Sequence, residues 1–110
     1  MKIKIPLKPL TINKAFQGRR YKTQEAKQYE KDLWHLTKAQ PIIAGEVAIS
    51  YTFYLKNHKR TDIDNLIKLL QDFLVSRAYI EDDRKIYRMT VEKIPAVMDR
   101  IEIEIFKKKL

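Results

Sequence analysis

The sequence predicts an α+β fold: a small mixed β-sheet packed with two main helices, in the order β-α-β-α-β-β. Three patterns carry that reading. Val47, Ile49, Tyr51, Phe53 and Leu55 alternate with uncharged residues, which is the period of a strand. Ile63, Leu66, Ile67, Leu70, Phe73 and Leu74 recur at the spacing of an apolar helix stripe. Ile101, Ile103 and Ile105 alternate with Glu102 and Glu104, as in a half-buried strand. At 110 residues the chain has room for a single domain with a modest core.

The elements follow in order. Lys2-Ile3-Lys4-Ile5 alternates as a strand, and Pro6 and Pro9 suit an edge or a strand end. Asn13 to Lys22 has no clear period; it carries Lys14, Arg19, Arg20 and Lys22 without an acid and reads as a mobile basic loop. Such a loop is either solvated or in contact with phosphates. Thr23 is the expected N-cap of a helix whose stripe is Ala26, Tyr29, Leu33 and Leu36, running to about Ala39. Trp34 lies near that stripe and is expected in the core. The outward face of the 47–55 strand, Ala48, Ser50, Thr52 and Tyr54, holds no charge. Something is therefore expected to cover it, with the strand in the centre of the sheet. Lys56 to Arg60 is a second basic cluster, and His58 within it reads as a surface residue. The second helix is expected from about Ile63 to Arg77, capped by Thr61 or Asp62. The segment 86–93 and the strand 100–106 are expected to form a hairpin, and the strands on either side of the second helix to lie parallel.

Composition narrows the function classes. A formal net charge of +9 favours contact with polyanions and says nothing about fold. There is no cysteine, so disulfides and thiolate metal sites are excluded, and two histidines argue against a histidine-rich zinc site. No apolar run approaches the roughly 18 residues of a membrane span, and nothing resembles a signal peptide. The expected location is the cytoplasm, with no membrane partner and no small-molecule cofactor.

Within this basic chain the acids gather. Asp62 and Asp64 stand two apart, Lys68 and Asp72 follow at helical spacing, and Asp82-Asp83 comes after the apolar run. Carboxylates a few Å apart repel unless compensated. A divalent cation compensates them, and all-oxygen ligands suit Mg²⁺, with Mn²⁺ as a substitute. Asp82 or Asp83 joins Asp62 and Asp64 if the following strand begins beside the helix start. Lys68 reads two ways: as an ordinary i, i+4 ion pair, or as a cation aimed at a scissile phosphate. Asp72 reads as structural. The whole motif likewise has two readings, a metal site acting on a phosphodiester or a capped helix with solvated acids.

Arg60-x-Asp62-x-Asp64-Asn65-Leu66-x-Lys68, then Asp72, Asp82-Asp83 and Lys93-x-Pro95, resembles the RusA family of Holliday junction resolvases. The match runs from about Arg60 to Pro95. The resemblance implies a homodimer that binds four-way DNA junctions and cuts two strands symmetrically with Mg²⁺ or Mn²⁺, in recombination and repair. It implies Asp62, Asp64 and Asp83 as metal ligands and Lys68 as the essential cation, with Asp82 beside the site. The residues expected against DNA are Arg19, Arg20 and Lys22 in the first basic segment, Lys59 and Arg60 in the second, and Asn65 of the motif. The rivals are another structure-selective nuclease with the same site, a non-catalytic basic DNA-binding module, and an RNA-processing factor.

Overall fold

The computed structural model describes residues 1–12, 16–17 and 21–109. Its strands are β1 (Lys2–Ile5), β2 (Phe16–Gln17), β3 (Tyr21–Lys22), β4 (Val47–Leu55), β5 (Ile86–Pro95) and β6 (Arg100–Lys107). Its helices are α1 (Gln24–His35) and α2 (Ile67–Ser76). The predicted order holds, with one addition. β2 and β3 pair antiparallel as a short ribbon where a loop is expected from the sequence. Arg19 and Arg20 lie outside the described residues.

The main sheet has the order β1-β6-β4-β5. β4 is central, as its uncharged outward face predicts: β6 runs antiparallel on one side and β5 parallel on the other. Its inward residues Val47, Ile49, Tyr51, Phe53 and Leu55 are all buried. The chain passes from β4 to the parallel β5 through α2, which is the crossover the sequence suggests. The expected hairpin of the last two strands does not form, because β4 lies between β5 and β6. Both edges of a strand with an uncharged outward face can be paired, and a central place satisfies both sets of its backbone groups. The 96–99 connection therefore bridges the end of β4. The Ala96 N–H donates to the Leu55 carbonyl at 3.0 Å, and the Lys56 N–H to Asp99 Oδ1 at 2.9 Å.

The expected cover over the outward face of β4 is replaced by side chains of the sheet itself. Ala48, Ser50, Thr52 and Tyr54 are half-buried, and the Arg100 guanidinium stacks on the Tyr54 ring at 3.6 Å from its centroid. The opposite face carries the core, where Ile5, Leu33, Leu66, Leu70, Leu74 and Ile103 are sealed from solvent. Each such side chain gains about 1.5–3 kcal/mol over leaving it exposed.

α1 starts as predicted, with Thr23 Oγ1 accepting from the Ala26 N–H at 3.2 Å. It stops at His35 rather than near Ala39. The Thr37 hydroxyl donates to the Leu33 carbonyl at 2.7 Å, and the Arg77 guanidinium reaches the Thr37 carbonyl at 2.9 Å. The Tyr79 hydroxyl takes the Lys38 carbonyl. A continuing helix would give the Leu33 carbonyl to the Thr37 N–H, which turns instead to the Trp34 carbonyl at 3.4 Å. Trp34 is 43% exposed instead of sitting in the core, with Arg77 over its ring.

The apolar stripe from Ile63 is real but is not one helix. Ile63–Leu66 is a 3₁₀ turn, and the α-helix begins only at Ile67. At its far end Ala78 takes a left-handed φ of 61°, with the Tyr79 N–H bonded to the Leu74 carbonyl and the Ala78 N–H to that of Val75. This closing motif stops the helix and returns Tyr79 and Ile80 to the core. It also delivers Asp82 and Asp83 to the side of α2. No described helix is long and apolar enough to cross a membrane.

Candidate active site

The site is built where β4 ends. After Leu55 the chain makes a 3₁₀ turn at His58–Arg60, closed by the Arg60 N–H on the Asn57 carbonyl at 3.1 Å. The Thr61 hydroxyl donates to the same carbonyl at 3.1 Å. Asp62 is extended and precedes the next 3₁₀ turn, whose Asn65 N–H donates to the Asp62 carbonyl at 3.2 Å. Leu66 is sealed in the core and fixes the inner side of that turn, so Asp62 and Asp64 face solvent.

The two acids are left without an internal use. Asp62 stands at the N-cap position, yet its side chain makes no capping bond, and Thr61 has turned its hydroxyl back to Asn57. Among the described residues neither the Asp62 nor the Asp64 carboxylate has a hydrogen bond or ion pair. The capping half of the capped-helix reading therefore fails on the geometry, since the helix starts at Ile67, while the exposure of both acids agrees with its other half.

Lys68 is exposed at the start of α2. Its ammonium is 3.0 Å from Asp72 Oδ1 and 3.8 Å from Asp83 Oδ2. It does not pair with Asp64, four residues back. A 3₁₀ turn advances about three residues per turn rather than 3.6, which rotates Asp64 out of line with Lys68. The Asp72 carboxylate raises the Lys68 pKa by its hydrogen bond and charge, and Asp83 adds to that against a small opposing effect of burial. Lys68 thus keeps its charge beside two acids. As an exposed pair, Lys68–Asp72 contributes only about 0.3–0.5 kcal/mol to stability.

Asp82 and Asp83 divide their work. Asp82 caps the 3₁₀ turn Asp83–Lys85, accepting from the Arg84 N–H at 3.1 Å, and the Arg84 guanidinium approaches its other oxygen at 3.3 Å. The Arg84 N–H, with the Arg84 charge behind it, holds the Asp82 carboxyl down at about 2. Asp83 faces Lys68. So the crossover brings Asp83 to Lys68 and Asp72, while Asp62 and Asp64 stand apart from that ion-pair group. Among the described residues no three acid or imidazole groups are gathered into range of one metal ion.

Of the cations expected against DNA, Lys22, Lys59 and Arg60 fall among the described residues. Lys59 and Arg60 are exposed in the turn before Asp62 and make no ion pair among the described residues. Lys22 is paired with Glu30 and borders a crevice of about 150 Å³ that runs past Trp34 and Phe73 to Asp72. Asn65 is half-buried in the acidic turn.

A family model described as Endodeoxyribonuclease RusA matches residues 7–106, nearly the whole chain. The chain belongs to the RusA family. The crossover junction endodeoxyribonuclease RusA of Lactococcus phage r1t is 32% identical over 68 residues. That alignment covers 54% of this chain and 52% of the phage protein, so the chain spans about half the length of the curated relative it matches.

One residue of the RusA-like pattern, Lys93, has a role that the sequence alone does not assign. Lys93 donates from its ammonium to the carbonyls of His58 at 2.6 Å and Thr61 at 2.7 Å. The signal was present in β5: Lys93 occupies the phase of Met89 and Val91, in register with the buried Phe53. A lysine in an inward phase has to find acceptors.

Proposed function

We propose that this chain is a metal-dependent endodeoxyribonuclease that binds four-way DNA junctions and resolves them by paired nicking, in recombination and repair. The observation that carries the reading is the pair of exposed carboxylates, Asp62 and Asp64, that the fold leaves with no partner of their own. They lie in the motif of a RusA-family chain that carries a net charge of +9.

The donor chemistry fits a hard divalent cation. Two unpaired carboxylates offer oxygen only, the ligand type Mg²⁺ and Mn²⁺ accept. Asp62 and Asp64 would hold the ion, and Asp83 would join them only by moving from its place beside Lys68. When bound, it supplies Lewis acidity and activates water for attack on a phosphodiester. The chain's own residues do the rest. Lys59 and Arg60 hold the DNA backbone beside the acids, since a site made of carboxylates repels a polyanion without them. Lys68, protonated under all ordinary conditions, meets the negative charge that grows on the phosphate. Two copies related by a two-fold axis would present two such sites to a junction of matching symmetry.

The test is incubation with a labelled synthetic four-way junction, with and without Mg²⁺ or Mn²⁺, beside flap, duplex and RNA substrates. Paired cuts in the junction alone support the reading. Equal cutting of flap and duplex favours a less selective nuclease, and preference for RNA an RNA-processing role. Binding with no cleavage in either metal sinks the catalytic reading and leaves a DNA-binding module. Sedimentation gives the subunit count, expected at twice 13.2 kDa.

A further inference from the structure

Lys93 sits on the helix-bearing face of β5, half-buried beside Phe53, and meets no carboxylate among the described residues. Its two acceptors are backbone carbonyls, those of His58 and Thr61. They bracket Lys59 and Arg60, so the two bonds fasten the basic turn at both ends. An ammonium partly withdrawn from water bonds a carbonyl more strongly than a neutral donor does, and a carbonyl robbed of such a donor is costly to leave unpaired.

Asp62 comes directly after this turn. Its carboxylate has neither a capping bond nor an ion pair, so its own side chain does nothing to locate it. Its place is set by the backbone on either side. Downstream the Asp62 carbonyl accepts the Asn65 N–H, and upstream the Thr61 carbonyl is held by Lys93. We propose that Lys93 is a positioning residue, which locks the turn between β4 and the acidic motif onto β5. It thereby fixes where Asp62 presents its carboxylate and where Lys59 and Arg60 present their charges. This rests on the reading of Asp62 as a metal donor.

The experiment compares Lys93→Met, which keeps the stem and removes the ammonium, with Lys93→Arg, which keeps the donors. Three readouts are taken on the full chain: amide exchange at Arg60 and Asn65, Mn²⁺ affinity without DNA by electron paramagnetic resonance, and junction cleavage. In the Met variant exchange at Arg60 and Asn65 should rise about tenfold while amides of β4 keep their protection. Its Mn²⁺ affinity should fall about tenfold, as when a ligand loses its outer support. Cleavage should fall with it, and the Arg variant should recover most of all three. Unchanged exchange at Arg60 in the Met variant, or an Arg variant as impaired as the Met one, overturns the proposal. A wild type that takes up no Mn²⁺ would instead sink the metal reading, while the exchange rates still decide whether Lys93 pins the turn. If the Met variant does not fold, the wild-type Lys93 ammonium decides. Its protons should exchange with water more slowly than those of exposed Lys56, and equal rates overturn the proposal.

Discussion

Two acidic pairs, Asp62 with Asp64 and Asp82 with Asp83, are set at the start of similar pieces of chain and used in opposite ways. Each opens a 3₁₀ turn, and in each the first aspartate occupies the N-cap position in extended conformation. Asp82 closes on the Arg84 N–H and on the Arg84 guanidinium. Asp62 closes on nothing. An aspartate at an N-cap ordinarily takes the free N–H groups of its turn. Where one does not, the carboxylate is available to something outside the chain. The contrast separates an acid that holds the fold from acids that the fold holds out.

The largest expected effect breaks this contrast on its functional side. Asp64→Asn or Asp62→Asn keeps the side-chain shape and removes one negative charge. A bound metal is worth several kcal/mol to the transition state, and each 1.36 kcal/mol is tenfold, so junction cleavage should fall about a thousandfold. Stability should move by no more than about 0.5 kcal/mol, because neither carboxylate bonds to the fold. Junction binding in metal-free buffer should hold or tighten, since a charge facing phosphate has gone. The checks are a cleavage assay, a gel shift and a melting curve on each variant. A folded Asp64→Asn protein that cuts at the wild-type rate would sink the metal site.

The next effect concerns the cation between the two pairs. Lys68→Ala should lower the cleavage rate about a hundredfold, as removal of one transition-state donor does elsewhere. Affinity for the junction should change far less, because the benefit is realised on the reacting phosphate. Single-turnover rates and a binding titration separate the two. Equal losses in rate and affinity would make Lys68 a ground-state phosphate contact. A change in stability alone would reduce it to its ion pair with Asp72.

Asp82→Ala should do less to catalysis and more to the local fold. It removes the cap of the turn that carries Asp83, so cleavage should fall by about tenfold, the scale of an outer support rather than a ligand. Exchange at the Arg84 amide should quicken. A loss as deep as that of Asp64→Asn would move Asp82 into the ligand set.

These contrasts were only partly legible in the sequence, for identifiable reasons. Alternation told which residues of 47–55 and 101–105 point inward, and the uncharged outward face put β4 in the centre. It could not tell which strands are neighbours, since alternation is blind to pairing. β5 and β6 are adjacent in sequence yet separated by β4, and the bonds from Ala96 to Leu55 and from Lys56 to Asp99 were needed to place them. Ile63 and Leu66 fit an α-helix and a 3₁₀ turn equally, because both bring i and i+3 to one face. That ambiguity hid the rotation of Asp64 away from Lys68. At the early stop of α1 the Thr37 hydroxyl takes the Leu33 carbonyl, and Arg77 and Tyr79, about forty residues away, hold the chain beyond it; no periodicity carries either. The acidic motif was visible as a pattern, but only the fold separated the partnered acids, Asp82 and Asp83, from the unpartnered ones, Asp62 and Asp64.

The smallest expected effect is the pH dependence of the Asp82 cap. The Arg84 N–H and its neighbours hold the folded Asp82 carboxyl at about 2, below the usual value for aspartate of about 3.9. A carboxyl whose folded value is depressed stabilises the protein above its unfolded value and stops doing so as the pH falls through the folded one. The cap should therefore contribute fully above about pH 4 and fade by about pH 2. Urea unfolding of the wild type and of Asp82→Ala, in metal-free buffer from neutral to strongly acidic pH, reads this directly. The gap between their midpoints should be constant near neutrality and close across that acidic window. Asp62→Ala is the internal reference: with no cap bond to lose, it should track the wild type in midpoint at neutral pH. A gap that persists at the acid end would mean that Asp82→Ala acts through shape rather than charge. An Asp62→Ala variant as destabilised as Asp82→Ala would mean that Asp62, too, caps its turn in solution, and the contrast between the two pairs would be gone.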